Sequence, residues 1–189
     1  MLLSTEFLEN QIEDNELKNS VLSIKRQIFL IQNLVNEFSN FARLPKANNK
    51  KINFSEIILI YIDEYKRNYP DIVFNQKISD NIFFYFDQSY VDIILNNLFK
   101  NSIEALKEIK NPLIEINLTS NKENIFLTFF DNGPGYEGNT DNLIKPYFST
   151  KNSSGLGLSL INKIIKDNNG NLTIKTNKYS GFRVEIKLN

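Results

Sequence analysis

From Leu17 onward the apolar residues Leu17, Val21, Ile24, Ile28, Ile31, Val35 and Phe38 recur at alternating steps of four and three. A 3.5-residue period sustained this long predicts one helix whose seam packs in a coiled coil or bundle. The opposite face is polar, with Lys18, Lys25, Arg26, Gln32 and Asn36, which favours such a seam over packing on the helix's own domain. Ser4 to Asn10 reads as the end of a preceding helix, and Asn10 to Asn15 as the connection between two antiparallel arms. Pro45 stops the long helix, and residues 46–51 form a polar linker.

Beyond the linker the pattern becomes mixed α/β. Ile52 to Phe54 predicts a short strand, Ser55 a cap for a helix running to about Asn68, and Pro70 its end. Asp71 to Ser79 and Asn81 to Phe86 read as strands. An amphipathic helix is expected from about Gln88 to Ile109, with Val91, Ile94, Leu95, Leu98, Ser102, Ala105 and Leu106 on one side. Leu113 to Ser120 and Asn124 to Phe130 alternate like an antiparallel pair and break at the run Asp-Asn-Gly-Pro-Gly. A loop of about twenty residues follows, a length that is usually functional in a compact domain. Gly155 to Asn168 resumes helix, and Asn171 to Asn177 with Phe182 to Leu188 close the chain as a hairpin.

Composition narrows the chemistry. The 189 residues carry 22 Lys+Arg against 22 Asp+Glu, so no net field draws nucleic acid or an anionic membrane. Neither histidine nor cysteine is present, which excludes His-based catalysis, thiolate chemistry and disulfides within these residues. No apolar run approaches the roughly 18–20 residues of a membrane span, and residues 1–7 lack the features of a leader, so the segment is expected to be cytoplasmic with no membrane contact.

Three groups of residues remain as candidate chemistry. Asn97 and Asn101 lie four apart and project from one helix face; they mark the stripe's solvent boundary or present hard oxygen donors suited to a nucleotide-bound Mg²⁺. Asp131, Asn132, Gly133, Pro134 and Gly135 follow a strand; they form an ordinary turn, or a carboxylate that accepts from an adenine amine beside glycines that let backbone approach the base. Ser154, Gly155, Leu156 and Gly157 lead into a helix; this is a capped helix start, or a cradle of backbone N–H groups for phosphate, with Lys151 as a compensating cation. The Walker pattern GxxxxGK[ST] is absent.

The order of these groups resembles the sensor histidine kinases, within the superfamily shared with gyrase-type, chaperone and mismatch-repair ATPases. NLFKNSIEA is similar to their N box, DNGPG to the G1 box, PYFSTK to the F box and GLGL to the G2 box, and GFRVEIKLN resembles their last strand. Residues 37–46 and the PYFSTK wording resemble the nitrogen-regulation group in particular. The resemblance implies an α+β fold over residues 52–189, a two-layer α/β sandwich whose mixed, mostly antiparallel sheet has helices on one face. Residues 1–45 would then be a partial dimerisation and phosphotransfer region.

The same resemblance implies ATP and Mg²⁺ as cofactors. Asn101 would hold the metal, Asn97 would assist near the phosphates, and Asp131 would recognise adenine in a pocket shaped by Gly133 and Gly135. Residues 136–154 would form the ATP lid, Gly155 and Gly157 would contact phosphate, and Lys151 would reach the terminal phosphates. Partners would be the histidine-bearing dimerisation segment of the full-length kinase, a response-regulator receiver domain and, in full-length form, a second copy of the chain. In the family a His-Glu-x-x-Asn-Pro motif lies upstream of a stretch like Leu3-Ser4-Thr5-Glu6, so the resemblance implies that the motif either precedes Met1 or is lost from a shortened gene, and any membrane anchor is expected in other segments. One departure is Ser153-Ser154 where such kinases carry Gly-Thr before Gly155-Leu156-Gly157.

Where hydrolysing members of the superfamily are expected to place a glutamate, this helix has Asn97, and an amide is no base. That favours phosphoryl transfer to a protein histidine over hydrolysis, with Glu104 nearby as the residual carboxylate. A non-catalytic nucleotide-binding and dimerisation module is the alternative, and an ATP-hydrolysing machine a more distant one.

Overall fold

The computed structural model describes residues 14–42, 44, 46–121, 123–150 and 154–189. The chain divides between Pro45 and Lys46 into two compact units. The first contains α1 (Asn15–Ala42), a helix of 28 residues. Along its predicted seam Val21 is buried, whereas Leu17, Ile24, Ile31 and Val35 are exposed. The arm at Ser4 to Asn10 and its connection up to residue 13 lie outside the described residues, as does Pro45.

The second unit begins with β1 (Lys50–Asn53), α2 (Phe54–Asn68), β2 (Val73–Ile78), β3 (Phe83–Phe86) and α3 (Gln88–Leu106). It continues with β4 (Leu113–Ser120), β5 (Ile125–Asp131), a 3-10 turn (Thr140–Asn142), α4 (Gly157–Asp167), β6 (Asn171–Thr176) and β7 (Phe182–Leu188). Five strands form one sheet in the order β2-β4-β5-β7-β6, and β1 pairs with β3 in a separate two-stranded ribbon. Only the β2/β4 pairing in the large sheet is parallel.

Strand alternation decides which face the helices cover. Ile114, Ile116 and Leu118 of β4 stand opposite Asp131, Phe129 and Leu127 of β5, and Val184, Ile186 and Leu188 of β7 continue the same rows. All of these are buried, while Phe126 on the reverse face of β5 is exposed. A period of two with one buried row is the signature of a sheet covered on one side. Phe99 of α3 locks the layers together, stacking on Tyr65 of α2 at 4.0 Å and meeting Phe129 edge-on at 4.9 Å. The fold is thus the expected two-layer sandwich.

Several expected boundaries are corrected. β1 starts at Lys50, inside the segment expected as linker, because Lys50 and Lys51 pair with Phe86 and Tyr85. Ser55 does not cap α2; the cap is Asn53, whose side chain accepts from the Glu56 N–H. The Ser55 hydroxyl is instead buried, donating to the Ser79 carbonyl at 2.7 Å and accepting from the Ile82 N–H at 3.0 Å. It fixes the turn between β2 and β3. α3 ends at Leu106 rather than Ile109, α4 begins at Gly157 rather than Gly155, and β5 runs through Asp131 instead of stopping at Phe130.

Asp87 sets the start of α3. Its carboxylate accepts from the Ser89 N–H at 2.8 Å, the Ser89 hydroxyl at 2.7 Å and the Asn48 N–H at 2.6 Å. Burial by itself raises this carboxyl, but the bonds from Asn48 and Ser89, with the charge of Lys50, outweigh it and hold the group below its ordinary 3.8. The folded carboxyl therefore binds a proton less readily than the unfolded one. Its stabilisation is present above pH 3.8 and is lost as pH falls through the depressed folded value. Urea midpoints measured from about pH 2 to 7 should show Asp87→Asn less stable than the parent at neutral pH, with the gap closing in acid.

Candidate nucleotide site

Asp131 is the last residue of β5 and lies on the helix-covered face, only 3% exposed. A carboxylate this deep is tolerated when its oxygens are bonded. The Ser102 hydroxyl of α3 donates to one oxygen at 2.7 Å, and the Gly133 N–H donates to the other at 3.0 Å. A Cβ on Gly133 would lie 2.7 Å from that second oxygen and 3.0 Å from the Ala105 methyl, so glycine lets the loop close over the carboxylate. Asn132 turns the other way: its amide donates to the Asn111 carbonyl at 2.8 Å and its oxygen accepts from the Leu113 N–H at 2.8 Å. Gly135, at φ +70°, is pressed against the Asn177 carbonyl. These bonds go well beyond those of a free-standing turn.

Ser102 escaped the sequence reading as a site residue. It stands on the apolar side of α3, where one small hydroxyl in an otherwise apolar stripe is the signal that a buried polar partner exists. Its bond to Asp131 ties β5 to the turn of α3 that also carries Asn101.

One turn earlier Asn97 meets α4. Its amide donates to the Ile93 carbonyl at 2.7 Å, and a Cβ built on Gly157 would stand 2.6 Å from its oxygen. Gly157 is therefore required for α3 and the start of α4 to lie this close. The Asn101 side chain is half-buried, and no hydrogen bond engages its carboxamide among the described residues. Glu104 is half-buried on the same helix.

The N-cap of α4 is Leu156, and no side chain among the described residues caps the helix. The first-turn N–H groups of such a helix lack intrahelical partners and carry the positive end of the dipole. Leu156 itself is buried through its side chain, so any contact it makes with a ligand is through backbone. Gly155, at φ +68°, packs against the main chain of Tyr147 and Phe148, a fit closed to a side chain. Ser154 is half-buried beside it, and Lys151 lies outside the described residues. In the segment expected as a lid, Leu143 is buried and Tyr136 meets Phe148 edge-on at 6.2 Å. Through Ser102–Asp131 and Asn97–Gly157, α3 joins three of the sequence groups in one region.

A one-sided α/β sandwich with a buried carboxylate at a strand end, an amide-bearing helix and a glycine-rich helix start is consistent in chemistry with a nucleotide-binding domain of the kinase and ATPase class. Residues 86–189, more than half of the chain, match the family described as histidine kinase-, DNA gyrase B- and HSP90-like ATPase, and the chain belongs to that family.

Among curated proteins it is 29% identical over 180 residues to the nitrogen regulation protein NtrY of Azorhizobium caulinodans, covering 91% of this chain and 23% of that one. It is 27% identical over 192 residues to the sensor histidine kinase FlgS of Helicobacter pylori, covering 98% and 49%. The chain thus spans from about a quarter to half the length of these relatives. Among solved structures, the catalytic domain of the histidine kinase ThkA superposes with a TM-score of 0.66 at 24% identity, covering 75% of this chain and 95% of that one. Full-length ShkA in complex with AMPPNP superposes at 0.79 with 16% identity, covering 99% and 42%. The domain is thus an ATPase-family domain whose curated relatives include NtrY and the sensor histidine kinase FlgS and whose fold is that of histidine kinase catalytic domains.

Proposed function

We propose that this chain binds Mg-ATP between α3, the Asp131–Gly135 loop and the start of α4, and transfers the γ-phosphate to a protein histidine for relay to a response-regulator aspartate. The observation that carries this reading is Asn97 against Gly157 at the uncapped start of α4, an amide where hydrolysis needs a base.

Each group has one task. Asp131 accepts from the exocyclic amine of adenine while Gly133 and Gly135 keep the loop close to the base. The first-turn N–H groups of α4, opened by Gly155 and Gly157, hold phosphate oxygens. The carboxamide of Asn101, which no described residue engages, would hold Mg²⁺ with Asn97 one turn away, and the metal would supply neutralisation of charge on the phosphates. Lys151, from the lid, adds a cation at the terminal phosphate. The imidazole nitrogen forms the new P–N bond as the bond to the bridging oxygen breaks, and ADP leaves with that electron pair. Positioning and charge neutralisation supply the catalysis.

The chain's 189 residues hold no histidine, so the acceptor lies outside them, on a dimerisation segment. The exposed seam of α1 supports a homodimer, and ThkA solved with the response regulator protein TrrA supports a receiver domain as the next partner. No described helix is long and apolar enough to cross a membrane, in keeping with a cytoplasmic site of action for this segment.

Mixing the chain with γ-labelled ATP and the histidine-bearing dimerisation domain of a related kinase tests the proposal. Acid-labile, alkali-stable label on that domain is the expected result. Nucleotide binding without transfer would instead identify a regulatory module, and rapid phosphate release by the chain alone an ATPase.

A further inference from the structure

The closing hairpin bears directly on the nucleotide loop. Thr176, the last residue of β6, lies in one row with Phe182 of β7 and Asp131 of β5. Its hydroxyl accepts from the Tyr136 N–H at 2.9 Å and donates to the Gly181 carbonyl at 2.8 Å. Tyr136 is the first residue beyond the Asp131–Gly135 loop, and Gly181 is packed so tightly on the Asp131 carbonyl that no side chain fits there. A single hydroxyl therefore links the far end of the loop to the strand beside its near end.

Besides the packing of Gly135 on the Asn177 carbonyl, two polar contacts among the described residues join the hairpin to this region. The Tyr179 N–H donates to the Pro134 carbonyl at 2.7 Å, and Lys178 pairs with Glu137 at 3.2 Å. The first is main chain, from Tyr179, which lies at φ +64° and is 82% exposed. The second joins two exposed groups, and such pairs contribute little in water. Thr176 is the half-buried side chain whose polar group spans the junction.

We propose that Thr176 is a positioning residue for nucleotide binding. Its hydroxyl clamps the base of the lid to the β6–β7 hairpin, and so holds the Asp131–Gly135 loop in the shape that receives adenine. The role rests on the proposed ATP site. Thr176→Val keeps the shape and β-branching of the side chain but can neither accept from Tyr136 nor donate to Gly181, whereas Thr176→Ser keeps the hydroxyl.

Calorimetry of the full chain with Mg²⁺ and a non-hydrolysable ATP analogue is the test. Thr176→Val should weaken binding about tenfold, the scale of one lost hydrogen bond with a stranded N–H, and Thr176→Ser should restore it to within about twofold. Hydrogen exchange should accelerate in residues 132–138 of the valine variant. A valine variant that binds like the parent overturns the role while leaving the ATP site standing. Equal losses in both variants also overturn it, because packing of the methyl would then be the cause. A parent chain with no affinity for the analogue overturns the ATP site and the clamp together.

Discussion

Asp131→Asn is expected to weaken Mg-ATP binding by about 30- to 150-fold, the equivalent of about 2–3 kcal/mol for losing a charged acceptor to a buried amine. The substitution preserves shape. The new side-chain oxygen can still accept from the Gly133 N–H, and the Ser102 hydroxyl can rotate to accept from the new amide, so these two bonds are retained. What is lost is the carboxylate's capacity to accept from adenine as well. Calorimetric titration with Mg-ATP, beside a thermal melt, checks this directly. Unchanged affinity would remove Asp131 from the adenine site, while lost affinity with a collapsed melt would identify the residue as a structural anchor instead.

Gly135→Ala should damage the fold itself. At φ +70° an alanine carries roughly 1–2 kcal/mol of left-handed strain. Its Cβ would also overlap the Asn177 carbonyl, a main-chain atom with no rotamer by which to withdraw. Overlap of this kind costs a further ~1–3 kcal/mol, for a total near 3 kcal/mol. In a domain of this size that lowers Tm by roughly 6–12 °C. Nucleotide affinity should fall with it, because the only relief is for the loop to lift from the β6–β7 hairpin. A variant that melts with the parent would show that the loop repositions freely and that the hairpin does not brace it.

The residues of the candidate site were picked out by local pattern. The glycines, Asp131 and the two asparagines announce themselves through spacing and residue type, and the matching family confirms the class they point to. The partners were not legible. Ser102 reaches Asp131 from 29 residues away, and Tyr136 reaches Thr176 across 40. No periodicity encodes such pairs. Ser55 shows the same limit: beside a helix start, serine reads as a cap, yet its hydroxyl serves the Ser79–Ile82 turn while Asn53 caps. Both residues satisfy the local rule for a cap, and tertiary packing chose between them.

By itself, then, the amino-acid order determined the elements and the groups they display: a 3.5-residue seam, an alternating sheet with one apolar face, an amide-bearing helix and two glycine-marked loops. These follow from short-range rules, because helix and strand periods and glycine's backbone freedom act within a few residues. The tertiary structure decided which polar groups close on one another. Burial of Asp131 at the end of β5 demands donors, and only the packing of α3 on the sheet supplies the Ser102 hydroxyl. The approach of α3 to α4 at Asn97 and Gly157 is likewise a matter of packing, since the distance depends on how two helices settle on one sheet.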